Sequence, residues 1–217
     1  MLKYQDLTIE KFNHDTILVQ NDQVIYFDPF QIDMINMPRA DVVFISHQHY
    51  DHCSPEDLEK VIKNDTLIVA ATPCQGQLAK FQQNKIWFSP GERKNIGEIE
   101  VVAWPAYNIN KWRAPGQAFH QVNDGGVGWV VTIGGVRLYF AGDTDFIEEM
   151  KELKDIDIAF LPISGTYVMT VAEAKQAIEA INPQLVVPMH YGAIIGDKSQ
   201  AKELQQGLPE GQVKILG

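Results

Sequence analysis

The sequence predicts an α/β protein in which apolar strands are covered by capped helices. Three observations carry this. Short apolar runs recur and several stop abruptly on polar motifs: residues 41–45 before Ser46-His47, 136–141 before Gly142-Asp143, and 185–187 shortly before His190. Helix-start signals alternate with them, at Ser54-Pro55-Glu56-Asp57 and at Thr170 with Glu173 three residues on. Gly134-Gly135 divides two apolar runs as a hairpin turn would.

Taken in order, the opening reads as strands, with 16–19 and 24–28 joined by a turn at Asn21-Asp22. His14 stands at the start of this hairpin, as a structural residue or as support for a site. Asp28 ends its strand before Pro29, where it either caps a turn or bonds a ligating histidine. After the 41–45 strand, Ser54 caps a helix over 55–63, with Pro55 at its first position and acids in its first turn. A strand over 67–71, a helix over 75–82 and a strand over 99–104 follow. Residues 106–123 are irregular, with Trp112, Pro115 and Gly116 inside, and such stretches are often functional. Lys111 and Arg113 could meet an anionic substrate there or simply be solvated.

The hairpin pairs 128–133 with 136–141 and delivers Asp143 to a strand end. A helix over 146–153, a buried strand over 158–162 and a loop over 165–169 come next. Thr170 and Glu173 then form a capping box. The helix they open shows one apolar face, through Val171, Ala174, Ala177, Ile178 and Ile181, and Asn182-Pro183 ends it. A strand over 185–187 leads to His190, and a last helix and a strand over 213–216 close the chain. No repeat, linker or low-complexity segment interrupts this, so one domain over 1–217 is expected.

Composition narrows the function. Hydrophobic residues at 45% and charged residues at 21% are ordinary globular values. A net charge of −10 argues against a protein that mainly grips nucleic acid or an anionic membrane. Neither a signal-peptide core nor a membrane-length apolar run is legible, so a cytoplasmic protein acting on a small molecule is expected. Cys53 and Cys74 do not make a disulfide framework; Cys53 is read as a small core residue rather than a ligand, and Cys74 has no evident partner.

The chemistry sits in Ile45-Ser46-His47-Gln48-His49-Tyr50-Asp51-His52-Cys53. Three imidazoles and a carboxylate fall just past a strand end, and these are groups that zinc, iron and manganese accept. This His-x-His-x-Asp-His run resembles the metal-binding signature of the metallo-β-lactamase superfamily. Asp28-Pro29-Phe30, Ala141-Gly142-Asp143-Thr144-Asp145 and Pro188-Met189-His190-Tyr191-Gly192 resemble that family's other motifs, in the family's order. The branch most similar holds small metal-dependent hydrolases akin to L-ascorbate-6-phosphate lactonase and N-acylphosphatidylethanolamine-hydrolysing phospholipase D.

The resemblance implies an αββα four-layer sandwich, where strand and helix alternation alone would equally allow three layers. It implies two divalent ions, Zn2+ first, with Mn2+ or Fe possible. His47 and His49 would hold one ion, Asp51, His52 and His190 the other, and Asp143 would bridge. The family's usual Gly-His after the 99–104 strand is replaced by Pro105-Ala106-Tyr107-Asn108, so His120 is favoured as the missing ligand over Asn108. The implied reaction is hydrolysis of a small phosphoester, phosphodiester or lactone by a metal-generated hydroxide, with Asp51 and Asp143 as catalytic carboxylates. Tyr107, Asn108 and Tyr167 are candidate substrate contacts, and Met169 lies near Tyr167. The alternatives are an iron-dependent oxidoreductase on the same ligands and a non-catalytic binding module.

Overall fold

The computed structural model of the protein describes residues 1–33 and 37–217. Its first sheet is assembled in chain order. Strands β1 (Leu2–Tyr4), β2 (Leu7–Lys11), β3 (Ile17–Gln20) and β4 (Val24–Phe27) form an antiparallel meander. Strands β5 (Val42–Ile45), β6 (Leu67–Ala71) and β7 (Lys85–Phe88) add parallel to β4, through helices α1 (Pro55–Val61) and α2 (Gln75–Leu78). The later strands are β8 (Arg93–Ile96), β9 (Ile99–Pro105), a small hairpin of β10 (Trp112–Ala114) and β11 (Gln117–Ala118), then β12 (Val127–Ile133), β13 (Val136–Phe140), β14 (Ile158–Pro162) and β15 (Leu185–Met189). They form the second sheet in the order β15-β14-β13-β12-β9-β8, with β10 and β11 paired apart. Helix α3 (Val171–Ile181) links β14 to β15, and α4 (Lys198–Gln206) follows. The two mixed sheets with flanking helices make the expected αββα sandwich.

Aromatic side chains join the sheets face to face. Phe27 of β4 stacks on Phe140 of β13 at 5.2 Å between ring centroids, and Trp129 of β12 meets Phe44 of β5 and Phe88 of β7, each at 5.4 Å. All five rings are fully buried, and burial of each stabilises the fold by about 1.5–3 kcal/mol. Strands covered on both faces read as unbroken apolar runs: β5 and β14 are buried at every residue, whereas β2 alternates.

The local signals act as their chemistry requires. The Ser54 side chain accepts from the Asp57 amide, and Thr170 and Glu173 close their capping box. Gly134 and Gly135 both take positive φ, the two-residue hairpin geometry that other residues resist. Several expectations are revised. Residues 146–153 hold only a 3₁₀ turn, Glu148–Glu152, whose cap residue Ile147 offers no side-chain acceptor. The last strand reduces to a single bridge of Val213 to Val186. Helix α2 stops at Leu78, and α1 at Val61, two residues before Lys63. The irregular stretch contains β10 and β11. Strands β7 and β8 carry no strong apolar alternation, and β8 is an edge strand bearing Arg93 and Lys94, charges that guard against edge pairing.

Topology positions the site. Strands β4, β5, β9, β13 and β15 all end at one rim of the sandwich, and β3 begins there, because Ile17 pairs with Phe27 at the end of β4. Among the described residues no helix is long and apolar enough to cross a membrane.

Candidate metal centre

Six segments meet at that rim. The loop after β5 brings His47, His49, Asp51 and His52; the segment before β3 brings His14 and Asp15; Asp28 follows β4, Asp143 follows β13 and His190 follows β15. His120 comes from the stretch after β11. Backbone strain gathers here: His14, Asp28 and His190 have φ of 52°, 41° and 59°, values that β-carbons disfavour. Gly142 has φ 63°, and a β-carbon there would lie 2.9 Å from the Val127 carbonyl oxygen and 3.3 Å from Ser46 Cβ. Only glycine lets the chain turn there and present Asp143.

Each inward histidine is oriented from behind. His52 Nδ1 bonds Asp28 Oδ2 at 2.7 Å; Asp28 also accepts from the Ser46 amide at 2.8 Å and from the Ser46 hydroxyl. That hydroxyl accepts from His47 Nδ1 at 3.0 Å. His120 Nδ1 bonds Asn108 Oδ1 at 2.9 Å, and His190 Nδ1 bonds the Ser164 hydroxyl at 2.9 Å. In the uncharged rings these acceptors select the tautomer with a proton on Nδ1, which turns the Nε2 lone pairs of His47, His52, His120 and His190 inward. His49 is turned the other way and presents Nδ1.

The inward atoms cannot satisfy one another. His49 Nδ1 lies 3.1 Å from His47 Nε2 and 3.0 Å from His120 Nε2, so lone pairs point at lone pairs. Asp143 Oδ2 is 3.2 Å from both His120 Nε2 and His190 Nε2, and Oδ1 is 3.3 Å from His52 Nε2. The buried His52 Nε2, His190 Nε2 and Asp143 Oδ1 have no hydrogen-bond partner among the described residues. Buried nitrogen and oxygen donors of this kind, converging on one carboxylate, fit divalent cations. Two overlapping groups have ligand atoms within 4.8 Å of one another: His47, His49, His120 and Asp143, and then His52, Asp143 and His190 with Asp15; a third links His14, Asp51, His52 and His190.

The electrostatics agree. Burial, then His52 and His120 nearby, hold His47 well below the usual histidine range, which keeps its lone pair free. Burial opposes charge on His52, but Asp143 and Asp28 outweigh it and hold that imidazole well above the range. Burial likewise opposes charge on Asp143, and His190, His52 and His120 nonetheless hold it well below the carboxylate range. Without a cation the cluster thus keeps protons that a metal would displace.

The structure brings His47, His49, Asp51, His52, His120, Asp143 and His190 together. It removes Asn108 from contention as a ligand: its oxygen takes the His120 amide and Nδ1, each at 2.9 Å, and its amide donates to Asp145 Oδ1 and to the Tyr167 carbonyl. Tyr107 also leaves the expected pocket, since its hydroxyl bonds Glu149 at 2.9 Å, and burial with that neighbour pushes the phenol up to about 12. Lys111 is committed to Glu173 at 2.8 Å and Asp145 at 3.1 Å rather than to an anion. Tyr167 does line the cavity beside the cluster, about 320 Å³, with Tyr50, Arg113, Phe119 and Ile194. His14 is part of the rim rather than remote from it, its Nε2 3.2 Å from Asp51 Oδ2. Sequence reading missed Asp15, Ser46, Ser164 and Asp145. Asp145 shapes the 106–111 turn by accepting the Ile109 and Asn110 amides at 2.7 and 2.9 Å. Ser46 and Asp145 lay inside the quoted motifs without a role assigned to them, and Asp15 carried a signal as a carboxylate beside His14 at a strand start.

Comparison with known proteins decides the family. The description "Beta-lactamase superfamily domain" matches residues 8–190. The chain belongs to the metallo-β-lactamase superfamily. Within it the chain falls among the UPF0173 metal-dependent hydrolases. It is 29% identical to one from Nanoarchaeum equitans over 97% of this chain and 95% of the relative, and 30% identical to one from Natranaerobius thermophilus over 91% and 90%. A crystal structure of a proposed metal-dependent hydrolase from Parabacteroides distasonis superposes with a TM-score of 0.81 at 33% identity, covering 97% of this chain and 92% of that one. By homology, this superfamily member is a metal-dependent hydrolase.

Proposed function

We propose that the chain is a dinuclear hydrolase of a small anionic ester, a phosphoester or phosphodiester ahead of a neutral lactone. The observation that carries the reading is the convergence of the inward nitrogens on Asp143, one carboxylate within 3.2–3.3 Å of His120 from one proposed set and of His52 and His190 from the other. His47, His49 and His120 would hold one ion, Asp51, His52 and His190 the second, with Asp143 shared. Zinc suits the first set, which is rich in imidazole. When bound, two such ions supply a water acidified to roughly pKa 7 and a Lewis acid for the scissile group.

The chain's own residues do the rest. Asp143 holds the two halves at a fixed spacing. Asp51 reaches the cavity with its side chain 15% exposed, where it can orient a water or take its proton. Arg113 enters none of the described ion pairs, and its guanidinium lies over the Phe119 ring at 5.6 Å, on the cavity wall. With Lys111 committed elsewhere, Arg113 is placed to meet the substrate's anionic group. Phe119 and Tyr167 pack edge to face at 4.7 Å, and with Tyr50 and Ile194 they give the substrate body an apolar wall.

The test is elemental analysis of protein purified without added metal, then hydrolysis of bis-p-nitrophenyl phosphate, p-nitrophenyl phosphate and a simple lactone. About two ions per chain and phosphoester turnover abolished by Asp143→Ala and Asp51→Ala are expected. Turnover that survives both substitutions, or protein that takes up no metal on reconstitution, would defeat the reading.

A further inference from the structure

Asp15 has no part in the ligand sets of the proposed dinuclear centre. Asp15 is fully buried, and neither carboxylate oxygen has a hydrogen-bond partner among the described residues. Leaving a carboxylate bare in a protein interior costs several kcal/mol, so a group in this state normally has a cation to face. It looks into the metal cluster: Oδ2 is 3.6 Å from His52 Nε2, and Asp15, His52, Asp143 and His190 offer atoms within 4.8 Å of one another.

We propose that Asp15 is a further carboxylate ligand of the second metal position, so that the centre is built from two unequal sites and holds two different ions. The first position has three imidazoles and a share of Asp143, a set suited to tetrahedral zinc. The second sets the carboxylates of Asp15 and Asp143 around His52 and His190, and Asp51, with His14 behind it, reaches the same two imidazoles. Oxygen-rich sets favour Mn2+ or Fe2+, which accept more ligands. Charge supports the assignment: two divalent ions bring four positive charges, Asp51 and Asp143 offset two, and Asp15 offsets a third inside a buried site. The inference rests on the metal-dependent reading above.

The experiment loads demetallated wild type and Asp15→Asn with Mn2+ and Zn2+ together, then counts each ion per chain, titrates Mn2+ by its EPR signal, and compares melting temperatures with and without metal. Given one equivalent of Zn2+ and an excess of Mn2+, wild type should keep one of each. Asp15→Asn should keep Zn2+ and bind Mn2+ at least about 10-fold more weakly. The variant should also melt above wild type when metal-free, because an unpaired carboxylate is gone, and below it when loaded. This reversal of sign is what a merely structural residue would not produce. Manganese K-edge absorption on wild type gives an answer even if the variant folds poorly: an oxygen-dominated shell is expected, and an imidazole-dominated shell overturns the proposal. Mn2+ affinity in Asp15→Asn within twofold of wild type overturns the Asp15 assignment alone. Wild type that takes up neither ion overturns the metal-dependent reading with it.

Discussion

Replacing Asp28 by Asn tests how the fold prepares its ligands. Asp28 is fully buried and accepts three hydrogen bonds, from the Ser46 amide, the Ser46 hydroxyl and His52 Nδ1. Asn keeps the volume and one acceptor oxygen, but its other terminus only donates. Facing that amino group, His52 Nδ1–H meets a second donor. The imidazole can recover a bond only by moving its proton to Nε2, the atom that faces Asp143 at 3.3 Å. The lone pair a metal needs is then lost. Substitutions at such supporting positions lower metal affinity about 10- to 100-fold, or about 1.4–2.8 kcal/mol. Competition for Zn2+ against a chromophoric chelator measures this directly, and urea unfolding of the metal-free protein separates it from a folding defect. With Zn2+ supplied alone, so that it fills both positions, the loss should fall on the second ion, while Ser46→Ala, which breaks the link from Asp28 to His47, should weaken the first. Zn2+ affinity in Asp28→Asn within twofold of wild type would refute the tautomer argument.

Four further outcomes are expected. Gly142→Ala places a β-carbon against the Val127 carbonyl at a positive φ, and should cost about 2–4 kcal/mol by urea unfolding. Glu173 is held down at about 2, because bonds from Asn110, Lys111 and Thr170 outweigh the burial that opposes its charge. Its contribution is therefore complete above pH 4.5, the unfolded value, and is lost as the pH falls from there towards 2. The full shift corresponds to about 3 kcal/mol, which solvent screening reduces to about 1–2 kcal/mol; the stability gap between wild type and Glu173→Gln should narrow between pH 5 and pH 3, and a constant gap would count against it. Cys53 and Cys74 are both buried, and hydrogen bonding to Cys53 and then burial push the Cys74 thiol up, so both should resist thiol reagents until urea unfolds the chain. Removing metal with a chelator should lower the melting temperature by about 5–10 °C per ion, since an ion at a hundred times its Kd adds about 2.7 kcal/mol.

Much of this centre was legible in the sequence because its candidate ligands sit where apolar strands stop. His47 to His52, Asp143 and His190 each follow a buried run, and such runs are easy to read. The choice of His120 over Asn108 was harder. Two groups twelve residues apart in an irregular loop gave no local pattern, and the answer depended on Asn108 turning back to hold His120 from behind. Tyr107 was misplaced for the same reason, since its partner Glu149 is forty-two positions away. Lys111 looked available because Glu173 and Asp145, which neutralise it, belong to distant elements. The 3₁₀ turn at Glu148–Glu152 shows that charge pattern without a capping side chain does not make a helix.

The rim carries the features that a stable core avoids: positive φ at His14, Asp28 and His190, unpartnered atoms on Asp15, His52, Asp143 and His190, and imidazole lone pairs directed at one another. None of these stabilises the metal-free chain. They are tolerated because the aromatic layer between the sheets, from Phe27 and Phe44 to Trp129 and Phe140, fixes where the strands end whether or not metal is bound. The candidate ligands are also divided between the layers. His47, His49, Asp51 and His52 belong to loops of the first sheet, whereas His120, Asp143 and His190 follow strands of the second or the hairpin beside it. An ion bound at either position therefore ties the two sheets together at the rim, where the Val127 amide bond to the Ser46 carbonyl already joins them at 3.0 Å. Metal binding and closure of the sandwich edge would then be one equilibrium, in which bound ions offset the strain gathered at the rim.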